Sequence, residues 1–242
     1  MNFNVVIPAR YESTRLPGKP LIDIAGIPMV IRTAIQASKS GAQHVIIATD
    51  DERIMKTAKQ HGFEALMTDK THISGTDRVL DVANQEDWLS DEIIINVQGD
   101  EPLINPELIT LLAKALQKKG VDYVTACSNF EKFDDYINPN NVKVIFDQND
   151  IAIKFYREAL INNKKDWNVQ QYFYHIGIYG YTKKLLDNFC KLPISKLEES
   201  LKLEQLRAIE NNLPIKVLKY EGKTHRGIDT SEDLVEIQNF FR

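Results

Sequence analysis

Only two cysteines, Cys127 and Cys190, occur in the 242 residues of this chain. They are far apart and form no CxxC pair, so neither a disulfide scaffold nor a thiolate metal site is expected, and both read as incidental thiols of a reducing compartment. Long apolar runs are missing too: nothing approaches the roughly 20 residues that a membrane-spanning helix needs. The opening stretch, MNFNVVIPAR, enters a strand-like run at once, without the basic segment and longer apolar core of a secretory signal. The expectation is a soluble, cytoplasmic protein with no membrane partner. There is also no surplus of positive charge. The 30 basic and 34 acidic residues leave a formal charge of −4, which argues against a broad nucleic-acid-binding surface and confines any phosphate recognition to local clusters. Internal repeats, low-complexity segments and flexible linkers are absent as well, so 1–242 reads as a single domain of a size that buries a substantial core.

What is present is an alternation of short apolar strands and amphipathic helices. Phe3 to Ile7 and His44 to Thr49 are β-branched, strand-like runs, with helical spacing between them from Met29 to Lys39. Helical segments follow at Asp51 to His61, Gly75 to Gln85 and Pro106 to Lys119, with a buried-strand run from Glu92 to Val97 among them. Such alternation predicts an α/β fold with a largely parallel sheet covered on both faces. Gly41, Gly62 and Gly120 each stand just past a helical stretch, where a left-handed residue is favoured. After Val121 to Ser128 the pattern changes. Lys143 to Phe146, Ala152 to Tyr156 and Phe173 to Tyr181 read as strands of a small antiparallel insertion lobe spanning approximately residues 130–190, with a polar loop from Arg157 to Gln171. The spacing of Ser195 and Glu198 fits a capping box that opens one long helix to about Asn212. A strand from Ile215 to Tyr220 and a helix from Ser231 to Phe241 complete the pattern.

In an open parallel sheet, ligands gather beyond the carboxyl ends of the strands. The loop after the first strand, PARYESTRLPGKP, is neither a Walker A loop nor a dinucleotide fingerprint, yet it places Arg10, Arg15 and Lys19 within ten residues. Fixed cations there suit a nucleoside triphosphate, whose charge must be neutralised and whose reacting phosphorus made electrophilic. A solvated basic loop is the plainer alternative. Asp100 follows the apolar run Ile93 to Val97 in VQGDEP, with Gly99 permitting a tight turn, and Asp229 sits in GIDT. The two aspartates suit a magnesium ion shared with substrate phosphates, or they merely cap turns. HISGTDR leads into a helix whose hydroxyls and backbone N–H groups suit a base or a phosphate, or simply form a capped start. Arg157 and His175 offer donors to a carboxylate and hydroxyls of an acceptor, or are structural, as lone histidines and arginines more often are.

With those residues in view, the chain resembles the CMP-3-deoxy-manno-octulosonate (CMP-Kdo) synthetases along nearly its whole length. The segments that carry the resemblance are IPARYESTRLPGKPL with DIAGIPM, then HISGTDR, NVQGDEP, NPNNVKV, HIGIYGY, LEQLR and GIDTSEDL, all in the order found in that family. The resemblance implies a Rossmann-like nucleotidyltransferase fold and a cytidylyltransferase reaction. In it, the anomeric hydroxyl of the sugar attacks the α-phosphate of CTP, giving CMP-Kdo and pyrophosphate for lipopolysaccharide biosynthesis. By motif, it implies that Ala9, Arg10, Arg15, Lys19, Ser74, Gly75, Thr76 and Arg78 bind the nucleotide and that Asp100 and Asp229 ligate Mg2+. The resemblance likewise makes Lys19, Asp100 and Asp229 the expected catalytic set and Gln98, Arg157, His175, Glu204 and Gln205 the expected sugar side. A homodimer that uses the insertion lobe is implied as well.

Departures from that family fall mostly on the acceptor side. Tyr156 precedes Arg157 where a serine is usual, Glu158-Ala-Leu-Ile161 replaces an Ala-Thr-Ile-Pro stretch, Tyr174 replaces a basic residue before His175, and Ile73 stands where glutamine is frequent. An 8-amino or otherwise modified octulosonate is therefore the alternative acceptor. A non-catalytic CTP-binding protein is the alternative of a different class. The combination of HxSGTxR, QGDEP and HxGIYGY argues against cytidylyltransferases for methylerythritol phosphate or sialic-acid-like sugars.

Overall fold

Every second residue of the first strand faces a different layer, and the two layers of the molecule follow from that alternation. In β1 (Asn4–Ala9), Val5 and Ile7 pack into one apolar cluster and Val6 into another on the opposite face. The structure, a computed structural model, describes residues 1–12, 16–224, 227–228 and 230–241. After β1 come a hairpin of β2 (Asp23–Ile24) and β3 (Ile27–Pro28), then α1 (Met29–Ser38), β4 (Val45–Thr49), α2 (Glu52–Gln60), β5 (Glu64–Met67), α3 (Gly75–Gln85), β6 (Ile93–Asn96), α4 (Pro106–Leu116) and β7 (Tyr123–Asn129). The second half holds α5 (Phe133–Ile137), β8 (Lys143–Phe146), β9 (Ala152–Tyr156), β10 (Phe173–Thr182), α6 (Lys183–Phe189), α7 (Lys196–Leu201), α8 (Leu206–Glu210), β11 (Lys216–Lys219) and α9 (Ser231–Phe240).

The main sheet runs β11-β7-β10-β6-β1-β4-β5. β1 pairs in parallel with β4 and β6, β4 with β5, and β11 with β7, while β10 lies antiparallel between β6 and β7. All strands of this path except β10 therefore point the same way, and their carboxyl ends share one rim. Helices α1, α2 and α4 cover one face through Val30, Ile31, Ile54, Leu108 and Leu112; α3, α6 and α8 cover the other through Val79, Val82, Leu186 and Leu206. This is the mostly parallel α/β sheet that the sequence predicts, and the expected left-handed glycines are present, with φ of 82° at Gly41, 77° at Gly62 and 85° at Gly120. No helix among the described residues is long and apolar enough to cross a membrane. Burial pushes the Cys127 thiol up to about 12, so it stays protonated and inert.

Two expectations change. The run Phe173 to Tyr181, read as part of an insertion, is one ten-residue strand that belongs to both regions. Its start pairs with β8, and its end, Tyr179 to Thr182, pairs with β6 inside the main sheet. The long helix from Ser195 is also two short ones. Its capping box forms as expected, with Ser195 and Glu198 exchanging hydrogen bonds. The helix then stops because tertiary partners claim its groups: Lys202 adopts φ 54°, and Arg157 Nε donates to the Leu201 carbonyl at 2.8 Å. Glu198 is drawn into a buried, two-pronged pair with Arg207, at 2.9 and 2.5 Å. The break puts Glu204 and Gln205 on a turn facing the sheet rather than on the side of a helix.

Candidate active site

Three loops converge at the rim. Gly18, at φ 68°, ends the loop after β1 and starts a 3-10 turn, Lys19–Leu21, and its N–H donates to the Tyr11 carbonyl at 3.1 Å. The turn delivers Lys19 to the loop after β6, where its Nζ lies 2.5 Å from Asp100 Oδ2. Asp100 owes its position to Gly99. A Cβ at residue 99 would lie 2.9 Å from the Pro8 carbonyl oxygen, and Thr33 of α1 donates to the Gly99 carbonyl at 3.2 Å. From the other side, the Ile228 N–H donates to the Asp100 carbonyl at 3.0 Å, which brings Gly227 and Ile228 alongside. Arg15 and Asp229, both expected here, lie outside the described residues. Gly99→Ala must push the Asp100 loop off the end of β1. Turnover is expected to fall by about 10-fold or more with a stability loss of only about 1–3 kcal/mol, the usual cost of overpacking; matched kinetics and thermal melts check this, and wild-type turnover would show that the contact positions nothing.

The residues expected to bind the nucleotide gather around the start of α3. Ala9 is buried at the end of β1, and the next residue, Arg10, donates from Nη2 to the carbonyls of His72 and Ser74, the latter at 3.3 Å. Ser74 caps α3, accepting from the Asp77 N–H at 3.1 Å, while Asp77 accepts from the Ser74 N–H at 3.0 Å. Gly75 lies close to Pro8 and Gln98, and Thr76 is buried. Ile73 stands between the two carbonyls that Arg10 holds, with its side chain largely exposed. Arg78, expected to frame the nucleotide, is wholly buried: it donates to Asp50 Oδ2 at 2.7 Å and to the Thr68 hydroxyl. Its place is beneath the site, where it ties α3 to the ends of β4 and β5.

Among the residues expected on the sugar side, Gln98 donates to Asn96 Oδ1 at 3.3 Å, and Gln205 Oε1 accepts from the Tyr179 hydroxyl at 3.1 Å. His175 is buried, with Nε2 at 2.9 Å from the Thr125 hydroxyl. That hydroxyl has one proton and spends it on the Ile178 carbonyl at 2.8 Å, so His175 Nε2 is the donor and Nδ1 is left as the acceptor of the ring. Burial lowers the His175 pKa to about 3, so the imidazole is neutral at physiological pH. Glu204 moves the other way: burial raises its carboxyl to about 7 against the pull of the Thr76 and Ser74 hydroxyls. Its Oε1 is shut off from water with no hydrogen-bond partner. Arg157, expected to receive a carboxylate, gives its donors to backbone carbonyls, those of Leu201 at 2.8 Å, Pro139 at 3.2 Å and Lys202 at 3.5 Å. In this structure it holds the turn that precedes Glu204 and Gln205.

The profile of the family described as Cytidylyltransferase matches residues 4–219, nearly the whole chain. The chain belongs to the cytidylyltransferase family. Among its relatives in that family, the 3-deoxy-manno-octulosonate cytidylyltransferase of a Nitratiruptor species is 46% identical over 241 residues, covering 98% of this chain and 99% of the relative. The enzyme of the same description from Francisella tularensis subsp. tularensis is 39% identical over 246 residues, covering 99% and 98%. A solved CMP:2-keto-3-deoxy-manno-octonic acid synthetase, complexed with CTP, superposes with a TM-score of 0.88 at 34% identity, covering 99% of this chain and 98% of that one. A cytidylyltransferase from Leptospira borgpetersenii serovar Hardjo-bovis shares the fold, with a TM-score of 0.61 at 20% identity over 96% of this chain and 82% of that one.

Sequence reasoning about the cytidylyltransferase site missed three tyrosines. Tyr123, Tyr179 and Tyr181 pack as one aromatic group, with Tyr181 4.8 Å from Tyr123 between ring centroids and its hydroxyl 3.5 Å from Thr76 Oγ1. Burial raises all three phenols, which therefore stay protonated and act as hydrogen-bonding groups. The signal was present in HIGIYGY: two tyrosines two apart on a strand share a face.

Proposed function

We propose that the chain transfers CMP from CTP to the anomeric hydroxyl of 3-deoxy-manno-octulosonate, giving CMP-Kdo and pyrophosphate. The observation that carries this is 46% identity over nearly the full length of both chains to a cytidylyltransferase named for that sugar. The geometry supplies matching chemistry. Arg10, oriented by two loop carbonyls, and Lys19, held at the rim, would offer two cations to a triphosphate, where positioning and charge compensation do most of the work of phosphoryl chemistry. Backbone N–H groups at the start of α3 add fixed donors for phosphate or base. Gln98, Gln205 and the Nδ1 of a neutral His175 suit the hydroxyls of a sugar.

The donor set also suits Mg2+. Asp100 offers carboxylate oxygens with its side chain 31% exposed, and the anchored Ile228 brings the chain to the residue before Asp229. Among the described residues no cluster of three or more His, Cys, Asp or Glu is arranged for a metal. Magnesium needs none, since it takes one or two carboxylates and completes its shell with phosphate oxygens and water. When bound, the ion would neutralise phosphate charge and favour the alkoxide form of the attacking hydroxyl. The product would serve as an activated sugar for lipopolysaccharide biosynthesis in the cytoplasm, and the enzyme would act as a homodimer. Light scattering of the purified protein at twice the monomer mass supports the dimer, and a lone monomer removes it.

The function is tested by magnesium-dependent pyrophosphate release from CTP with Kdo, with its 8-amino analogue and with no sugar. Release with Kdo above both other arms is the expected result. Silence with Kdo while CTP still binds would overturn the assignment, and preference for the amino sugar would move it to that acceptor.

A further inference from the structure

The loop that receives Arg10 is itself tied down from behind by one carboxylate that no step above uses. Asp81, in the second turn of α3, accepts through Oδ2 from the His72 ring at 2.7 Å and from the Asp69 N–H at 3.1 Å, and through Oδ1 from Gln85 at 2.9 Å. Asp69 adds a local clamp, its Oδ1 accepting from the Thr71 N–H and hydroxyl, both at 2.7 Å. Burial alone would raise the Asp81 carboxyl, but the His72 ring, the Gln85 amide and the Asp69 N–H outweigh it and hold the group below its ordinary value. The same residue whose ring meets Asp81 gives its carbonyl to Arg10, and the Ser74 carbonyl, two residues on, takes the same Nη2. His72 therefore joins two contacts of opposite purpose: the ring fixes the loop to the helix, and the main chain fixes the arginine to the loop.

We infer that the His72–Asp81 pair is a positioning element for the nucleotide, acting through Arg10: it sets the two loop carbonyls so that the guanidinium is presented to the triphosphate in one orientation. A loop held at only one end would leave those carbonyls free to rotate, and Arg10 would lose rotamer freedom on binding CTP instead of beforehand. The charges near the pair are Asp69 and Arg78, each of which interacts with Asp81, and Arg10 at the His72 carbonyl. The inference rests on the nucleotidyl-transfer reading, and wild-type activity with CTP is its internal control.

The experiment measures KM for CTP, KM for the sugar and kcat in His72→Ala, His72→Gln, Asp81→Ala, Arg10→Ala and the His72→Ala/Arg10→Ala double variant. Removing the pair should raise KM for CTP by about 10-fold, the size of coupling usual within one hydrogen-bonded network, with kcat and the sugar KM within about 2-fold of wild type. His72→Gln, which keeps a side-chain N–H donor, should recover most of the CTP affinity. The double variant should be no worse than Arg10→Ala alone, because the pair acts through that residue. Additive losses in the double variant, an equal rise in both KM values or an unchanged KM for CTP in His72→Ala would each overturn the inference. If Asp81→Ala fails to fold, the His72→Gln and double-variant comparisons still decide it. An inactive wild-type enzyme would instead refute the underlying reading.

Discussion

Asp100→Asn is expected to lower turnover by about 10²–10³, the range seen when one preorganised electrostatic group is removed from an active site, while CTP still binds. The substitution keeps the size of the side chain and most of its hydrogen bonding, so the loop fixed by Gly99 and Thr33 has no reason to move. What changes is charge. Lys19, 2.5 Å from Asp100, no longer faces an anion at that position, so the local field becomes more favourable to a triphosphate. CTP affinity measured without divalent cation should therefore stay the same or improve, whereas the magnesium-dependent rate falls. Titration calorimetry with and without magnesium, beside single-turnover kinetics, separates the two effects. Unchanged turnover would remove Asp100 from the chemistry, and a loss of CTP binding in the absence of metal would show that the aspartate holds the nucleotide itself.

A second large effect concerns acid stability and traces to His175. Its folded pKa of about 3 lies below the value near 6.5 of a free imidazole. Between those values the unfolded chain takes up a proton that the native chain refuses. The stabilisation is fully present above pH 6.5 and is lost progressively as the pH falls towards 3. At 1.36 kcal/mol per unit the whole shift amounts to about 5 kcal/mol, of which about 3 kcal/mol is lost by pH 4.5. His175→Asn has no such proton to bind. Between pH 7.5 and 4.5, wild type should lose about 3 kcal/mol more unfolding free energy than the variant, read from urea melts at the two pH values. Parallel losses would mean that the imidazole is accessible to protons in the native state. The same neutrality limits what His175 can do, since a histidine that refuses a proton can act as a hydrogen-bonding group and not as a cation.

Much of this was legible in the sequence because it is local. Strand alternation, the Gly99-Asp100 tip and the Ser74 cap depend on residues within a few positions of one another, and all form where the pattern puts them. The failures share a different cause. The break in the expected long helix depends on Arg157, 44 residues before the Leu201 carbonyl it takes, and on the Arg207–Glu198 pair. Helical spacing carries no trace of either contact. Arg78 occupies a helix start that suits a ligand, yet it is buried because Asp50 and Thr68 arrive at the ends of neighbouring strands. The placement of β10 in the main sheet depends on pairing with β6, whose residues lie more than 80 positions earlier. Propensity identifies a strand but not its neighbours.

The double membership of β10 sets how the lobe and the main sheet move together. A hydrogen-bonded strand barely stretches along its length, so the segment paired with β8 cannot slide away from the sheet without dragging Tyr179 and Gln205 with it. Its ladder with β7 is interrupted between Ile176 and Tyr179, next to His175. Bending is cheapest at such an irregularity, so any swing of the lobe would be concentrated beside His175, and the turn that carries Gln205 would register strain arising at the far end of the strand.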